Sequence, residues 1–308
     1  MKLNFPGRLA MSHPHLAELE RIERSAWEDL ARAAPPPFAA AKIPQFQFNW
    51  LAGAGLGGDD GACIGEAVAR FRDIGQTKFI VQIAPGPHAA DMEDLARDAG
   101  LQASPLSWAK FRRGTQNAPE VETSLSIREV GVDEKNVFAE SAIAGFGMPP
   151  PMALWLSQIV GRPHWHAYAS FDGDAPAGAA ALYVDGDFAW LGIGATRPEM
   201  RKKGGQSALL ARRIADAAKY GARYAVTETG VPQQGQPAPS YKNILGCGFD
   251  VAYVRPNWTC RGSGHPSAGW VHPRETPGIM GEIVTSPRPR AAAPVPDSGF
   301  TFRQVCPS

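Results

Sequence analysis

The chain has 308 residues, of which 44% are hydrophobic, so it can bury the core of one large domain or of two modest ones. Lys and Arg number 31 against 30 Asp and Glu, and a formal charge of +1 provides no overall field to attract nucleic acid or an anionic membrane. No apolar run approaches the roughly 20 residues of a membrane-spanning helix, and the first residues lack the apolar centre of a secretion signal. We therefore expect a cytoplasmic globular protein with neither nucleic-acid nor membrane partners.

Helical and strand-like segments alternate in the N-terminal part of the chain. Residues 16–33 have apolar side chains at helical spacing and end before three consecutive prolines, which predicts a first helix. The segments after it predict strand, helix, strand, helix and strand, with Gly and Pro at the joins. In that order they are residues 46–50, 64–75, 78–85, 88–102 and 107–113.

A polar segment without periodicity, residues 114–123, marks the predicted domain boundary. We place an N-terminal accessory domain at residues 1–120 and a second domain at residues 121–260. Residues 261–308 are rich in Pro, Gly and Ser, which predicts a loosely attached tail.

Three strands and several helices are predicted in the second domain. Helical turns between Val137 and Trp155 are interrupted by the sequence MPPP. Two DGD turn sequences then join three strand-like segments, HWHAYASF, AGAAALYV and FAWLGIGAT, into an antiparallel meander. A helix at 206–221, a strand at 223–230, a short helix at 239–246 and a last strand at 248–258 follow.

A basic, glycine-rich loop lies between the third strand of the meander and the next helix. The first N–H groups of a helix have no partner inside the helix, and the helix dipole adds about half a positive charge there. Gly204 and Gly205 have no side chain to keep a phosphate from these N–H groups, while Arg201, Lys202 and Lys203 add positive charge. The loop therefore predicts a pyrophosphate-binding site.

The segment PEMRKKGGQSALL, which begins at Pro198, resembles the acetyl-CoA binding motif of the GNAT superfamily of N-acetyltransferases, PxxRxxGxG/A followed by xxLL. Gln206 stands where the family usually has Gly or Ala. The segment SYKNILGCGF also resembles the family's helix that leads into a GF pair, and the resemblance covers residues 124–258. It implies an α/β (α+β) fold with a mixed, mostly antiparallel sheet flanked by helices, and acetyl-CoA as co-substrate.

The resemblance also implies which residues hold acetyl-CoA. The pyrophosphate would bind the N–H groups of the loop, and the pantetheine arm would pair like an added strand with the end of the strand before it. The implied cofactor-binding residues are Gly194, Ala195 and Thr196 on the strand, Arg201, Lys202, Lys203, Gly204, Gly205, Gln206 and Ser207 in the loop, and Asn243 on the helix that follows.

Acetyl transfer to an amine needs a group that accepts the amine's proton. Glu228 ends an apolar strand, and its burial would raise its pKa toward neutrality, which makes it the candidate general base. Ser240 and Tyr241 are candidates for returning a proton to the CoA thiolate. The family's frequent tyrosine falls on Ile244, which has no proton to give.

Two functions are therefore compatible with the sequence. The favoured one is an N-acetyltransferase that acts on the primary amine of a small molecule, with the amine of a protein as the second choice of acceptor. The alternative is a protein that binds acetyl-CoA or CoA without catalysis, as a sensor. The sequence does not name the acceptor, and it is compatible with a homo-oligomer.

The N-terminal region carries a structural hypothesis of its own. Residues 40–113 include the order strand, helix, strand that also follows the phosphate loop in the second domain. We predict that they form a degenerate, partial GNAT-like unit without a phosphate loop. Such a unit would form one side of the acceptor site or add strands to the sheet.

A metal site is not predicted. His164 and His166 lie on one face of a predicted strand and could ligate a metal, but no third ligand of suitable spacing accompanies them. The four cysteines are scattered without a CxxC pair, so neither a disulfide framework nor a structural zinc site is indicated.

Overall fold

The computed structural model describes residues 15–33, 50–55, 61–73, 75 and 79–260. Its helices are α1 (Leu16–Arg32), α2 (Gly61–Asp73), α3 (Ala89–Asp98), α4 (Lys135–Phe146), α5 (Met152–Leu156), α6 (Gly205–Lys219) and α7 (Pro239–Gly246). Its strands are β1 (Trp50–Ala54), β2 (Ile80–Ile83), β3 (Leu101–Gly114), β4 (Ser126–Glu129), β5 (Trp165–Asp172), β6 (Ala175–Asp185), β7 (Phe188–Thr196), β8 (Tyr224–Gly230) and β9 (Asp250–Cys260). None of the helices in these ranges has the length and apolar character needed to cross a membrane.

The nine strands of the described ranges form one sheet in the order β1-β2-β9-β3-β8-β7-β6-β5-β4. Two neighbouring pairs, β1 with β2 and β7 with β8, are parallel. The other pairs are antiparallel. The prediction of a mixed, mostly antiparallel sheet flanked by helices is confirmed.

Strand β3 occupies the middle of the sheet although it precedes the predicted domain boundary. It pairs with β9 from Leu101 opposite Cys260 onward, and with β8 from Trp108 opposite Gly230 onward. The segment before the predicted boundary therefore contributes strands to the same sheet as the segment after it. The domain division and the degenerate GNAT-like unit stay predictions. The tail at 261–308 and most of the strand predicted at 46–50 lie outside the described residues.

The predicted meander is present as β5, β6 and β7. Each DGD sequence forms a tight turn whose glycine has a positive φ, +59° at Gly173 and +60° at Gly186. Strand β6 is rich in alanine and buried on both faces. Small side chains there let helices pack closely on the two sides of the sheet.

Helices cover both faces of the sheet. On one face α1, α4 and α5 pack over a core in which the Trp190 ring meets Trp27 and Trp165 edge to face. On the other face α6 and α7 pack over Leu182, Leu191 and Phe111. Leu210, Ile214 and Ala217 form an apolar stripe along α6 that is buried there, at 3%, 0% and 0% exposed. A third core lies between β1, β2, α2 and α3.

Candidate functional site

A gap opens between the parallel strands β7 and β8. Their pairing covers Phe188 to Trp190 on β7 and Tyr224 to Val226 on β8, yet β7 continues to Thr196 and β8 to Gly230. Where the strands separate, Thr227 Oγ1 donates a hydrogen bond of 2.8 Å to the Leu191 carbonyl. We call the space between residues 191–196 and 227–230 the strand gap. Unpaired strand edges of this kind can accept an extended ligand as an additional strand.

Strand β7 contains a β-bulge beside the strand gap. Ala181 pairs with Gly192 and Ala179 with Ala195, so two residues of β7 stand opposite one residue of β6. Ile193, one of those two, has a left-handed φ of +49°, which is unusual for a β-branched residue. A bulge of this kind changes the direction of backbone N–H groups, and such bulges are frequent beside active sites.

A buried arginine supports the bulge. Arg213 of α6 is 2% exposed and donates hydrogen bonds to the carbonyls of Leu209, Ala181 and Gly192 at 2.9, 2.9 and 3.0 Å. Burial lowers the pKa of Arg213 to about 10, which leaves it protonated at neutral pH. This residue was not predicted from the sequence. The signal was an arginine beside Ile214, within the apolar stripe of an amphipathic helix.

The predicted phosphate loop leads from β7 into α6. Gly204 is the N-cap of α6, has a left-handed φ of +78°, and no side chain caps this helix end. A Cβ atom at Gly204 would lie 3.1 Å from the Glu122 carbonyl, and one at Gly205 only 2.9 Å from Leu125 Cδ1. Backbone conformation and packing therefore require glycine here, apart from any ligand.

The basic residues of the loop are exposed. Lys203 Nζ forms an ion pair of 2.5 Å with the Asp172 carboxylate at the end of β5, which fastens the loop to the meander. Arg201 and Lys202 are exposed, and Lys202 has a left-handed φ of +66°. The exposed N-terminus of α6 with these cations around it is a place where an anion is favourable.

The structure brings together three of the predicted residues, Gln206, Ser240 and Asn243. Gln206 Nε2 donates to Ser240 Oγ at 3.1 Å, and Asn243 Nδ2 donates to Gln206 Oε1 at 2.7 Å. These bonds join the first turn of α6 to α7. They also account for a glutamine at a position where the motif usually has a small residue, because its side chain is held by α7.

Tyr241 lies on the other side of α7. Its ring packs edge to face on Phe111, with 5.0 Å between the ring centres. Burial raises the pKa of Tyr241, so its hydroxyl keeps its proton at neutral pH. A protonated hydroxyl is the form that a proton donor to a thiolate requires.

The three candidate residues at the end of β7 border the strand gap, and two of them, Ala195 and Thr196, also contact α4. A Cβ atom at Gly145 of α4 would lie 2.7 Å from Ala195 Cβ and 2.9 Å from the Thr196 nitrogen. Gly194 and Thr196 are half-buried and Ala195 is buried. Because α4 covers one face here, β7 offers a ligand chiefly its edge toward β8.

The expectation for the pKa of Glu228 is wrong. Its side chain is 5% exposed, and Oε2 lies 2.9 Å from Lys110 Nζ and 2.6 Å from Arg255 Nη2. Burial by itself raises the pKa of Glu228, but the attraction of Lys110 and Arg255 outweighs burial and lowers it. The apolar run before Glu228 gave no sign of cations on two other strands.

Glu228 belongs to a larger group that we call the buried ion cluster. Its members are Glu20 and Glu23 of α1, Lys110 of β3, Glu228 of β8 and Arg255 of β9. The other four residues were not predicted from the sequence. The available signal was the position of Glu20 and Glu23 on the same face of α1 as Leu19 and Ile22, which are fully buried.

The two histidines considered as metal ligands have other partners. His164 Nδ1 contacts the Val184 carbonyl at 2.9 Å, and His166 Nδ1 contacts Glu129 Oε1 at 2.8 Å beside a cavity of about 470 Å³. The His166 ring also stacks on Tyr220, with ring centres 3.9 Å apart. Across the described part of the chain, no three His, Cys, Asp or Glu side chains are grouped to hold a metal ion.

Comparison with known proteins gives structural neighbours only. No family model and no curated protein sequence matches the chain. A GCN5-related N-acetyltransferase from Kribbella flavida is 15% identical, with a TM-score of 0.54 over 80% of this chain and 96% of that one. A GCN5-related N-acetyltransferase from Sphaerobacter thermophilus is 16% identical, with a TM-score of 0.49 over 63% of this chain and 64% of that one. A tandem GNAT protein from the clavulanic acid biosynthesis pathway is 17% identical, with a TM-score of 0.45 over 65% of this chain and 68% of that one.

Proposed function

We propose that this protein, which has the fold of the GCN5-related N-acetyltransferases, transfers an acetyl group from acetyl-CoA to the primary amine of a small molecule. The observation that carries the proposal is the strand gap, which leads to the uncapped N-terminus of α6 at the end of β7. A pantetheine arm in the gap can pair with the edge of β7, while the pyrophosphate binds the first N–H groups of α6.

The bulge in β7 would stabilise the charge that develops during the reaction. Negative charge builds up on the thioester carbonyl oxygen as the amine attacks, and backbone N–H groups of the bulge would stabilise it. Arg213 donates to the Gly192 carbonyl, so its positive charge polarises the peptide group that joins Gly192 to Ile193. A polarised peptide is a stronger N–H donor.

The reaction needs one group to take a proton from the amine and another to give a proton to the CoA thiolate. The acceptor amine enters mostly as an ammonium ion and must lose a proton before it attacks. Glu228 of β8 is ionised and therefore able to accept a hydrogen bond from it. Ser240 and Tyr241 remain the candidates for protonating the departing CoA thiolate.

Gln206→Glu tests the cofactor site without disturbing the fold. The change is nearly isosteric, keeps an acceptor for Asn243, and puts a negative charge at a helix N-terminus, where it favours the helix. The same charge would repel a pyrophosphate. We expect calorimetry to show binding of acetyl-CoA by the unchanged protein and a Kd at least about tenfold higher in Gln206→Glu, about 1.4 kcal/mol.

Gln102→Glu is the matched control, because it makes the same charge change at an exposed position on β3. Its affinity for acetyl-CoA should equal that of the unchanged protein. If the unchanged protein does not bind acetyl-CoA, or if the two variants bind equally, the proposed cofactor site is wrong.

Binding of acetyl-CoA without release of free thiol across a panel of primary amines would favour the non-catalytic CoA sensor. The small-molecule acceptor and the cytoplasmic location stay predictions.

A further inference from the structure

The buried ion cluster lies between α1 and the sheet, beside the strand gap. Its five side chains come from α1, β3, β8 and β9, and each is at most 5% exposed. Removing a charge from water is costly unless partners compensate it. The cluster therefore needs a close balance of positive and negative charge.

The charges of the cluster do not balance when every member is ionised. Glu20, Glu23 and Glu228 are three carboxylates, whereas Lys110 and Arg255 are two cations. The buried atoms Glu23 Oε1 and Glu228 Oε1 also lack a hydrogen-bond partner. One additional proton within the cluster would remove the excess negative charge.

Contacts within the cluster indicate which carboxylate holds that proton. Glu20 is bound by Arg255 and accepts a hydrogen bond of 2.5 Å from the Tyr253 hydroxyl, so it is compensated as an anion. Burial raises its pKa, but Arg255 and Lys110 outweigh burial, and the pKa of Glu20 is lowered. Glu20 is therefore not the residue that is protonated.

Glu23 and Glu228 compete for the same two cations. Oε2 of each carboxyl group contacts both Lys110 Nζ and Arg255 Nη2; the Arg255 contacts are 3.3 Å for Glu23 and 2.6 Å for Glu228. Burial first, and then the charge of Glu228, raise the pKa of Glu23 to about 8. A hydrogen bond between two carboxyl groups requires a proton on one of them.

The register of the strands places Glu228 beside the reaction site. Trp190 of β7 pairs with Val226 of β8, so Gly192 and Glu228, each two residues further on, stand at the same level across the strand gap. Gly192 adjoins the bulge that would bind the thioester carbonyl. Glu228 is thus the one carboxylate of the buried ion cluster that lies on a strand bordering the strand gap.

We propose that Glu23 and Glu228 share one proton, and that Glu23 is the residue that takes up the proton released by the acceptor amine during acetyl transfer. This inference rests on the proposed function. As the N–C bond forms and the C–S bond breaks, the ammonium nitrogen gives up two protons in all. One goes to the CoA sulfur. The other passes through Glu228 to Glu23, in the form of the cluster that has already released the shared proton, and from there to solvent.

Glu23→Gln is the variant that tests this role. Glutamine has the shape of neutral glutamic acid, and the variant leaves two carboxylates with two cations, so we expect it to fold and to bind acetyl-CoA normally. It cannot take up a proton. Glu18→Gln makes the same change on the same helix outside the cluster and serves as the matched control.

Two measurements on the full-length chain test the two parts of the proposal. Infrared difference spectra of the unchanged protein and of Glu18→Gln should lose a carboxylic-acid C=O band as the pH rises through about 8, and Glu23→Gln should lack that band. In saturating amine, kcat of the unchanged protein and of Glu18→Gln should rise over the same pH range. Glu23→Gln should lose this rise, with kcat lower by about 10²-fold and KM for acetyl-CoA unchanged.

Each negative result has a defined meaning. If the unchanged protein lacks the infrared band, Glu23 and Glu228 share no proton and the proposal is overturned. If Glu23→Gln keeps the pH profile and kcat of the unchanged protein, its role as proton acceptor is overturned. If the unchanged protein acetylates no amine, the proposed function and the catalytic role of Glu23 both fail, while the infrared band still decides the shared proton.

Discussion

Arg213 is a cation whose hydrogen bonds go to three backbone carbonyl groups of α6, β6 and β7. Replacing it by methionine would keep apolar contacts of similar length but leave buried acceptors without a donor. We expect Arg213→Met to lower the free energy of unfolding by about 1–3 kcal/mol in urea titrations. It should also weaken acetyl-CoA binding, because the bulge at Gly192 loses its support.

Arg212→Met is the natural comparison for Arg213→Met, since the two residues are adjacent on α6. Arg212 is 40% exposed at its side chain and pairs with Asp216 four residues along the helix. Because water reaches the Arg212 side of this pair and screens it, we expect the pair to contribute about 1 kcal/mol or less. Equal losses of stability in the two variants would show that Arg213 has no special role in the bulge.

Local residue patterns predicted the order of strand, loop and helix from β7 to α6, but not the surroundings of the charged residues. The phosphate-binding role of the loop stays a prediction. Gly204 lies in the loop before α6, as expected, and its left-handed φ of +78° is a backbone reason for glycine there. Asp216 of α6 is only 8% exposed and is held by Arg212, although charged residues of a helix are mostly exposed. The expectation for Glu228 is wrong because its pKa depends on Lys110 and Arg255, which lie far away in the sequence.

At the scale of secondary-structure elements, the contact between α4 and the end of β7 is unusually close. Gly145 permits this contact, because a methyl group there would lie 2.7 Å from Ala195 Cβ. Helix α4 would have to move away from β7 in Gly145→Ala. We expect a lower melting temperature and weaker acetyl-CoA binding, measured by calorimetry, because the same residues of β7 border the strand gap.

Gly65→Ala is a suitable control for Gly145→Ala. Gly65 is exposed on α2, and a Cβ atom there would have no neighbour within 4 Å. Alanine at this position should be neutral or stabilising, because it favours the helix. A Gly145→Ala variant with unchanged stability and unchanged affinity would show that the contact between α4 and β7 can accommodate a methyl group.

Elements defined by local periodicity were predicted, whereas elements defined by distant partners were not. Strand β7 and helix α7 match the sequence interpretation, because Phe188–Thr196 and Pro239–Gly246 have clear patterns and end signals. Strand β3 begins at Leu101, in a segment that was assigned to the end of a helix. Its first residues are extended because Leu101 pairs with Cys260, and no local pattern reports such a partner. Strand β4 was missed as well: it has four residues, of which three are exposed.

At the scale of the whole molecule, the buried ion cluster makes stability depend on pH in two opposite ways. Glu20 and Glu228 have lowered pKa values in the folded protein, so their stabilising contribution is present above their usual value of 4.5 and is lost as the pH falls. Glu23 has a raised pKa. Its contribution is complete below 4.5 and is lost as the pH rises through about 8.

Glu23→Gln should therefore change the pH dependence of folding in a defined direction. Relative to the unchanged protein, its free energy of unfolding should increase steadily as the pH rises from 4.5 to about 8, and then level off. Urea unfolding of both proteins over this range measures the difference. A difference that stays constant with pH would mean that Glu23 has the same proton affinity in the folded and unfolded chains.

The central position of β3 has a consequence for the synthesis of the protein on the ribosome. Gly114 of β3 pairs with Tyr224 of β8, which is synthesised about 110 residues later. At about 5 to 20 residues per second, both edges of β3 therefore have no partner strand for roughly 5 to 20 seconds. During that interval β3 is a strand whose backbone can pair with another nascent chain. The yield of native protein should therefore depend on translation speed and on chaperones that shield this strand, more than on the stability of the finished sheet.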